Sequence, residues 1–491
     1  MCIFDVDSFQ VQKKFITNLG FLLLLNLLIK PFWVLGIGVG IQNSVGPEQY
    51  GIYFTMLNFS YLFHIFLDFG INNFQNRNIS QNPKAAGQLL SSLSVVKFGF
   101  GLVFMFLVMT LGKYIMEYPP KYIYLLLVVG LNQVLLSIVL FLRANLAGLQ
   151  FFKVDSIISV LDRLLMIAIC GTLLWGNVTN IPFQIEWFAY AQGAAYAATI
   201  FVALIILLFE VKVKLEKPQL KIVPSLIRKS LPFAVLTLIM TIYYRIDVIM
   251  IEGMMPNGVK EAGVYAQGYR LPEMASMFAL LFATLLLPLF SNMLAKKESV
   301  IELMSLSFRL LITPAIIGAI AIYFYGMDFI RIFYSVEFEK SSDVQTVLMF
   351  TFIPLASTYI FGTLLTANGD MKTLNWISVL GLLVNVGLNY VLIPDIGIKG
   401  AAIATLVTQI VVVLLQLIYI GWQFKTAPRW QLIASLVVFS TGLYFLGFFM
   451  LGIGIDHKVQ FILLCGIGVL WAVITGMVNI KAIYRILKLG D

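Results

Sequence analysis

Charge is scarce in this chain. Only 12% of its 491 residues are charged, against 60% hydrophobic, and the mean hydropathy is +0.93. A soluble domain is about a quarter charged and about half apolar. This balance excludes a fold solvated mainly by water, so lipid must be its principal solvent. Histidine is nearly absent: His64 and His457 are the two, too few for a histidine-based metal centre. The three cysteines, Cys2, Cys170 and Cys465, lie far apart and provide neither a disulfide framework nor a metal site. A Gly-rich phosphate loop ending in Gly-Lys-Ser/Thr is missing, which argues against ATP hydrolysis by the chain itself. Loops on the outer side longer than about 20 residues are missing too, and a membrane glycosyltransferase or glycan polymerase would be expected to carry one. The acids form no obvious pair for general acid–base work. The sequence therefore reads as a non-enzyme without a cofactor.

What the chain has in abundance is long apolar runs. Stretches such as Leu125–Leu142, Ile200–Phe209 and Val411–Ile420 show no alternation of polarity, so they read as helices rather than barrel strands. Breaks between runs define about fourteen spans of roughly 20 residues or more. The first seven are approximately 17–42, 53–75, 89–112, 122–146, 155–176, 185–209 and 231–252. The rest are approximately 266–294, 304–325, 344–367, 373–394, 398–423, 430–452 and 458–480. The first run is preceded by Asp5 and Asp7 and followed by no small-residue cleavage site, so it reads as a retained span.

Loop charges orient the spans. With the N-terminus inside, the inner segments hold roughly 20 Lys and Arg and the outer ones about seven, which places both termini in the cytoplasm. Arg77, Lys84, Lys153, Lys296 and Lys297 fall inside, whereas Lys113, Lys260 and Lys399 fall outside. The connection Val211–Ser230 carries Lys212, Lys214, Lys217, Lys221, Arg228 and Lys229 and suits anionic lipid rather than nucleic acid. It also divides the chain. Tyr50-Gly51-Ile52-Tyr53 and Ala262-Gly263-Val264-Tyr265 each open a span after an outer loop, at an offset of about 212 residues. The expected organisation is an N-terminal six-helix bundle over 1–215, a second over 216–424 in the same orientation, and two further helices over 425–491.

The informative residues are charges inside apolar runs, because each costs about 3 kcal/mol or more at the bilayer centre unless it faces a partner or a wet cavity. They are Lys30, His64, Asp68, Lys97, Asp162, Arg163, Arg245, Asp247, Arg270 and Glu273. Several have plainer roles: Arg309 can snorkel, His64–Asp68 can be a structural pair on one helix face, and Asp162–Arg163 can be a packing pair. Lys30, Lys97, Arg163, Arg245 and Arg270 together outnumber the nearby acids. They are candidates for a cationic cavity that binds an anion such as pyrophosphate, with His64, Asp68, Asp162 and Asp247 as candidate coupling or ion-pair groups.

Specific stretches carry a resemblance. Gly46-Pro47-Glu48-Gln49-Tyr50-Gly51-Ile52-Tyr53, with Asp68-Phe69-Gly70 and Arg77-Asn78-Ile79, resembles the start of bacterial polysaccharide-export (O-antigen repeat-unit) flippases. Tyr244-Arg245-Ile246-Asp247 and Ala262-Gly263-Val264-Tyr265-Ala266 resemble the start of their second half. Leu392-Ile393-Pro394-Asp395-Ile396-Gly397-Ile398-Lys399-Gly400-Ala401-Ala402-Ile403-Ala404-Thr405 is similar to their turn between spans eleven and twelve. Those flippases belong to the multidrug/oligosaccharidyl-lipid/polysaccharide superfamily. The resemblance implies an all-α, V-shaped transporter of two six-helix bundles in the bacterial cytoplasmic membrane. It implies a polyprenyl-pyrophosphate-linked glycan as substrate, with membrane lipids, a glycan polymerase and other assembly proteins as partners. A cation-coupled drug antiporter and a peptidoglycan-precursor flippase are the alternatives within the superfamily. The Arg cluster of the latter near span one is missing, since Lys30 stands alone.

Overall fold

A computed structural model describes residues 28–29, 31–149, 151–176, 178, 181–211, 216–219, 223–425 and 430–478. Among these residues the secondary structure is helical, without strands. The chain divides into two compact units, Met1–Ile249 and Met250–Asp491.

The first unit begins with a π-helical turn, Phe32–Gly38, that runs into α1 (Val39–Leu62). Two helical segments meet inside α1 at Gly46, whose φ of 78° and ψ of 168° suit glycine, which lacks the Cβ that opposes positive φ. Pro47 follows at the first position of the second segment, where its missing N–H costs no hydrogen bond. The helix then stops. A single turn, α2 (Ile65–Asp68), is followed by left-handed Phe69 and Gly70 before α3 (Ile71–Gln81). The remaining helices of this unit are α4 (Ala86–Tyr114), α5 (Pro120–Gly148), α6 (Phe152–Trp175), α7 (Ile185–Ile205) and most of α8 (Val223–Met254), which ends past the unit boundary. Helix α5 lies at the centre, against α1, α3, α4, α6 and α7. Leu90, Leu93, Leu142 and Leu146 are part of one apolar core.

The second unit consists of α9 (Gly258–Ala295), α10 (Ile301–Phe333), α11 (Phe338–Asn368), α12 (Met371–Ile396), α13 (Ile398–Gln423), α14 (Trp430–Met450) and α15 (His457–Ile474). Helix α11 packs on α9, α10 and α13, while α14 and α15 pack on α10. Close approach at α10 depends on small residues, as is usual where no hydrophobic drive separates lipid from helix. A Cβ on Gly447 would sit 2.5 Å from Phe324 Cε2, and one on Gly468 would sit 3.1 Å from Ile317 Cγ1.

Eleven helices among the described residues are long and apolar enough to cross a membrane. They match the third to sixth and eighth to fourteenth expected spans. The seventh expected span lies within α8. Much of the first falls outside the described residues, and the second is the interrupted stretch around α2. Among the described residues the count of fourteen is therefore not confirmed, and the spans without a counterpart are these three.

Candidate functional site

Breaking a helix in lipid frees backbone carbonyls, each costing several kcal/mol if left unsatisfied. Leu67 is such a case, because the left-handed Phe69 and Gly70 separate it from the next turn. Lys97 on α4 and Ser137 on α5 supply the donors. Lys97 Nζ donates to the Leu67 carbonyl at 2.9 Å, and Ser137 Oγ donates to the same oxygen at 3.1 Å. Lys97 Nζ also bonds Ser137 Oγ at 3.0 Å and forms an ion pair with Asp68 Oδ1 at 2.6 Å. Three helices thus close around the break.

This geometry gives Asp68 an ion-pair partner from another helix. His64 and Asp68 were expected on one face of a continuous helix; they stand at the two ends of a single turn, and the ion-pair partner of Asp68 is Lys97. The reason is non-local: the ammonium, 5% exposed as a residue, needs both a counter-charge and acceptors, and the break offers them together.

His64 and Asp68 do share a cavity. It has a volume of about 410 Å³ and is lined also by Asn72, Asn76, Arg143 and Asp155. Arg143 Nε donates to Asp155 Oδ1 at 2.7 Å and NH2 to Oδ2 at 3.3 Å, a forked pair across the α5–α6 turn. Neither residue stood out in the sequence, since each sits where boundary charges are ordinary. The available signal was their opposite sign on the two sides of a tight turn.

A second polar layer crosses the same unit. Asn132 Nδ2 donates to the Ala189 carbonyl at 2.8 Å and to Gln192 Oε1 at 3.2 Å. Tyr53 Oη donates to the same Gln192 oxygen at 3.2 Å, and Gln192 Nε2 reaches Tyr196 Oη at 3.4 Å. Arg163 continues this chain, donating to Tyr196 Oη at 3.4 Å, and its guanidinium lies 5.6 Å from the Trp33 ring. Its neighbour Asp162 approaches it at 3.2 Å. Arg245 is held differently. Its NH1 donates to Asn58 Oδ1 at 3.1 Å and its Cζ lies 4.5 Å from the Tyr61 ring. Among the described residues these two partners are neutral.

The other candidates are scattered. Arg270, in the second unit, pairs with Glu273 at 3.2 Å within one turn of α9. Asp247 is buried on α8. Lys30 lies outside the described residues. Of the five expected cationic positions, Lys97, Arg163 and Arg245 lie in the first unit, each with partners of its own, and Lys97 is engaged at the helix break. Arg309 donates to the Gly476 carbonyl at 2.6 Å, which serves the α15 end. On the other end of the second unit, Lys260 pairs with Glu337, Lys340 with Glu261 and Lys399 with Asp343. The carboxyl of Glu337 is held below its ordinary range, chiefly by its hydrogen bond from Lys260.

Comparison with solved structures shows which known folds this all-helical arrangement resembles. The chain resembles the lipid II flippase MurJ in its inward closed conformation, with 14% identity and a TM-score of 0.70 over 93% of this chain and 97% of that one. An inward-facing multidrug resistance MATE transporter of the MOP superfamily gives 14% identity and a TM-score of 0.65, covering 81% and 96%. A MOP superfamily transporter from Pyrococcus furiosus, described as having a binding pocket of reverse polarity, gives 15% and 0.53, covering 83% and 94%. These likenesses define the fold as that of MOP superfamily transporters. No curated protein matches the sequence. The family model of the polysaccharide biosynthesis proteins matches residues 15–294, and the chain belongs to that family.

Proposed function

We propose that this protein is a flippase that carries polyprenyl-pyrophosphate-linked oligosaccharide units from the cytoplasmic to the outer leaflet of a bacterial cytoplasmic membrane. Both termini lie in the cytoplasm, and the halves flanking the basic connection at Val211–Ser230 alternate in access. The observation that carries this reading is Arg245, a guanidinium within an apolar helix whose described partners, Asn58 and the Tyr61 ring, leave its charge uncancelled. Such a charge is costly in lipid unless an anion visits it. Arg163 and, from the sequence, Lys30 and Arg270 are the further candidate contacts. A diphosphate diester matches the forked donors of arginine, and the polyprenyl tail remains in lipid.

The energetics need neither nucleotide nor covalent chemistry. A diphosphate diester carries two negative charges, and moving them outward across an inside-negative potential of about 100 mV releases roughly 4–5 kcal/mol. This can drive transport by itself, leaving Asp68, Asp162 and Asp247 as structural partners or as coupling groups for an ion gradient. A glycan polymerase acting on the delivered unit is the natural partner.

The test is translocation of a labelled lipid-linked oligosaccharide by the purified protein in liposomes, with substrate mass checked before and after. Transfer without change of mass is expected. Arg245→Ala should slow it about 10- to 100-fold, the worth of one charge-assisted contact. Unimpaired transfer by that variant, or altered drug tolerance with intact glycan assembly in cells carrying it, would overturn the proposal in favour of a drug antiporter.

A further inference from the structure

The cavity beside the helix break is charge-balanced before any ligand enters. Lys97 neutralises Asp68 and Arg143 neutralises Asp155, so two carboxylates and two cations cancel. A diphosphate would meet both carboxylates and find no spare positive charge. A small cation would meet acids that are already engaged. What the walls offer instead is directional hydrogen bonding. Among the described residues Asp68 is engaged through Oδ1, and Arg143 uses Nε and NH2 of its five N–H donors, leaving planar groups with capacity to spare. Asn72, Asn76 and His64 add amide and imidazole edges. Adjacent hydroxyls of a pyranose ring present the complementary spacing to planar carboxylate, amide and guanidinium groups. The volume of about 410 Å³ lies in the small-ligand range of about 300–1,000 Å³.

The cavity also lies beside the cation proposed for the diphosphate. Arg245 stacks on Tyr61 at 4.5 Å, and the Tyr61 ring is 5.8 Å from the ring of His64, a cavity residue. A sugar attached directly to the diphosphate would have this cavity within reach. The α3 end and the α5–α6 turn that frame it are flanked by Lys84 and Lys153, cytoplasmic in the orientation proposed above.

We infer that this cavity is a subsite for a neutral, polyhydroxylated sugar of the headgroup, separate from the diphosphate contact at Arg245. The inference rests on the flippase reading for its biological substrate, yet its binding test stands apart. The full-length protein in nanodiscs is titrated with N-acetylglucosamine and, separately, with inorganic pyrophosphate, and thermal unfolding is followed. Wild type should be stabilised by both probes, without competition between them. The double variant Arg143→Gln/Asp155→Asn keeps the charge sum at zero and nearly the same shape. It should raise the half-saturating sugar concentration about tenfold while leaving the pyrophosphate response unchanged. Ala147→Phe, which fills the cavity without removing any of its polar groups, should weaken the sugar response in the same way and covers the case in which the double variant does not fold. Sugar binding that is missing in wild type, equal in both variants, or competitive with pyrophosphate would overturn the inference. A wild-type response to sugar but not to pyrophosphate would support the cavity and overturn the diphosphate reading instead.

Discussion

Replacing Lys97 by Met removes a charge while keeping much of the volume, and the structure sets how much this should cost. The Lys97 side chain is 3% exposed and the Asp68 side chain 21%. Breaking one partner of a fully buried pair costs about 3–5 kcal/mol, because the other charge is left uncompensated. Asp68 retains some access to solvent, so the lower end applies. The Leu67 carbonyl keeps the Ser137 hydroxyl as a donor, so it adds little. The expected loss is about 3 kcal/mol, measured by equilibrium unfolding in mixed micelles. The decisive comparison is the double variant Lys97→Met/Asp68→Asn, which leaves no orphaned charge. It should recover more than half of the loss, whereas Asp68→Asn alone should leave an unpaired buried ammonium and destabilise by a similar amount. If Lys97→Met lies within about 0.5 kcal/mol of wild type, or if the two single effects simply add, the ion pair does not hold the broken helix.

Three other outcomes follow from named contacts. Gly447→Leu should cost about 1–3 kcal/mol by overpacking, since even a Cβ there would press on a Phe324 ring fixed between Tyr323 and Tyr444; faster proteolysis at the α13–α14 connection would register it. Glu337 is stabilised as a carboxylate by Lys260, so the pair contributes above the unfolded carboxyl value and that contribution fades as pH falls through the lowered folded value. Because the pair is partly solvated, Glu337→Gln should differ from wild type by less than about 1 kcal/mol at neutral pH and not at all in strong acid, a difference that a pH series of unfolding measurements reads directly. Tyr61→Leu should weaken pyrophosphate binding by about 0.5–2 kcal/mol through loss of the ring that holds Arg245, with Tyr61→Phe close to wild type in the same titration.

Apolar run length made most of the helices legible, because lipid leaves few alternatives to a helix of about 20 residues. The break read between the spans ending near 42 and starting near 53 contains Gly46-Pro47, where the structure joins two helical segments. The break at Phe69-Gly70 was not legible. Residues 53–75 are apolar enough for a span, phenylalanine rarely takes a left-handed conformation, and the groups that satisfy Leu67 lie 30 and 70 positions away. Distance in sequence also hid the partner of Asp68, which looked local at His64. Charges inside apolar runs were easy to find, but composition does not say which of them are already spent. Arg163 and Lys97 look alike in sequence; one pairs with its neighbour Asp162 at the end of a hydrogen-bonded chain, and the other fills a backbone defect.

That distinction bears on how a single unit could handle a headgroup of mixed character. A lipid-linked oligosaccharide is anionic at the diphosphate and neutral beyond it, so one uniformly basic chamber would bind the first part tightly and the second part poorly. In the proposed reading the first unit would instead separate the two chemistries. Arg245 is held by a neutral amide and an aromatic face, which position it without discharging it. A ring away, the pairs Lys97–Asp68 and Arg143–Asp155 convert four charges into a neutral surface of oriented donors and acceptors. Cancelling charges in pairs retains hydrogen-bonding capacity that an apolar wall would lack, and it avoids the field that would trap a diphosphate there. Under the proposed function, release on the outer side would require only that Arg245 lose its anion, since a sugar held by neutral contacts exchanges readily with water.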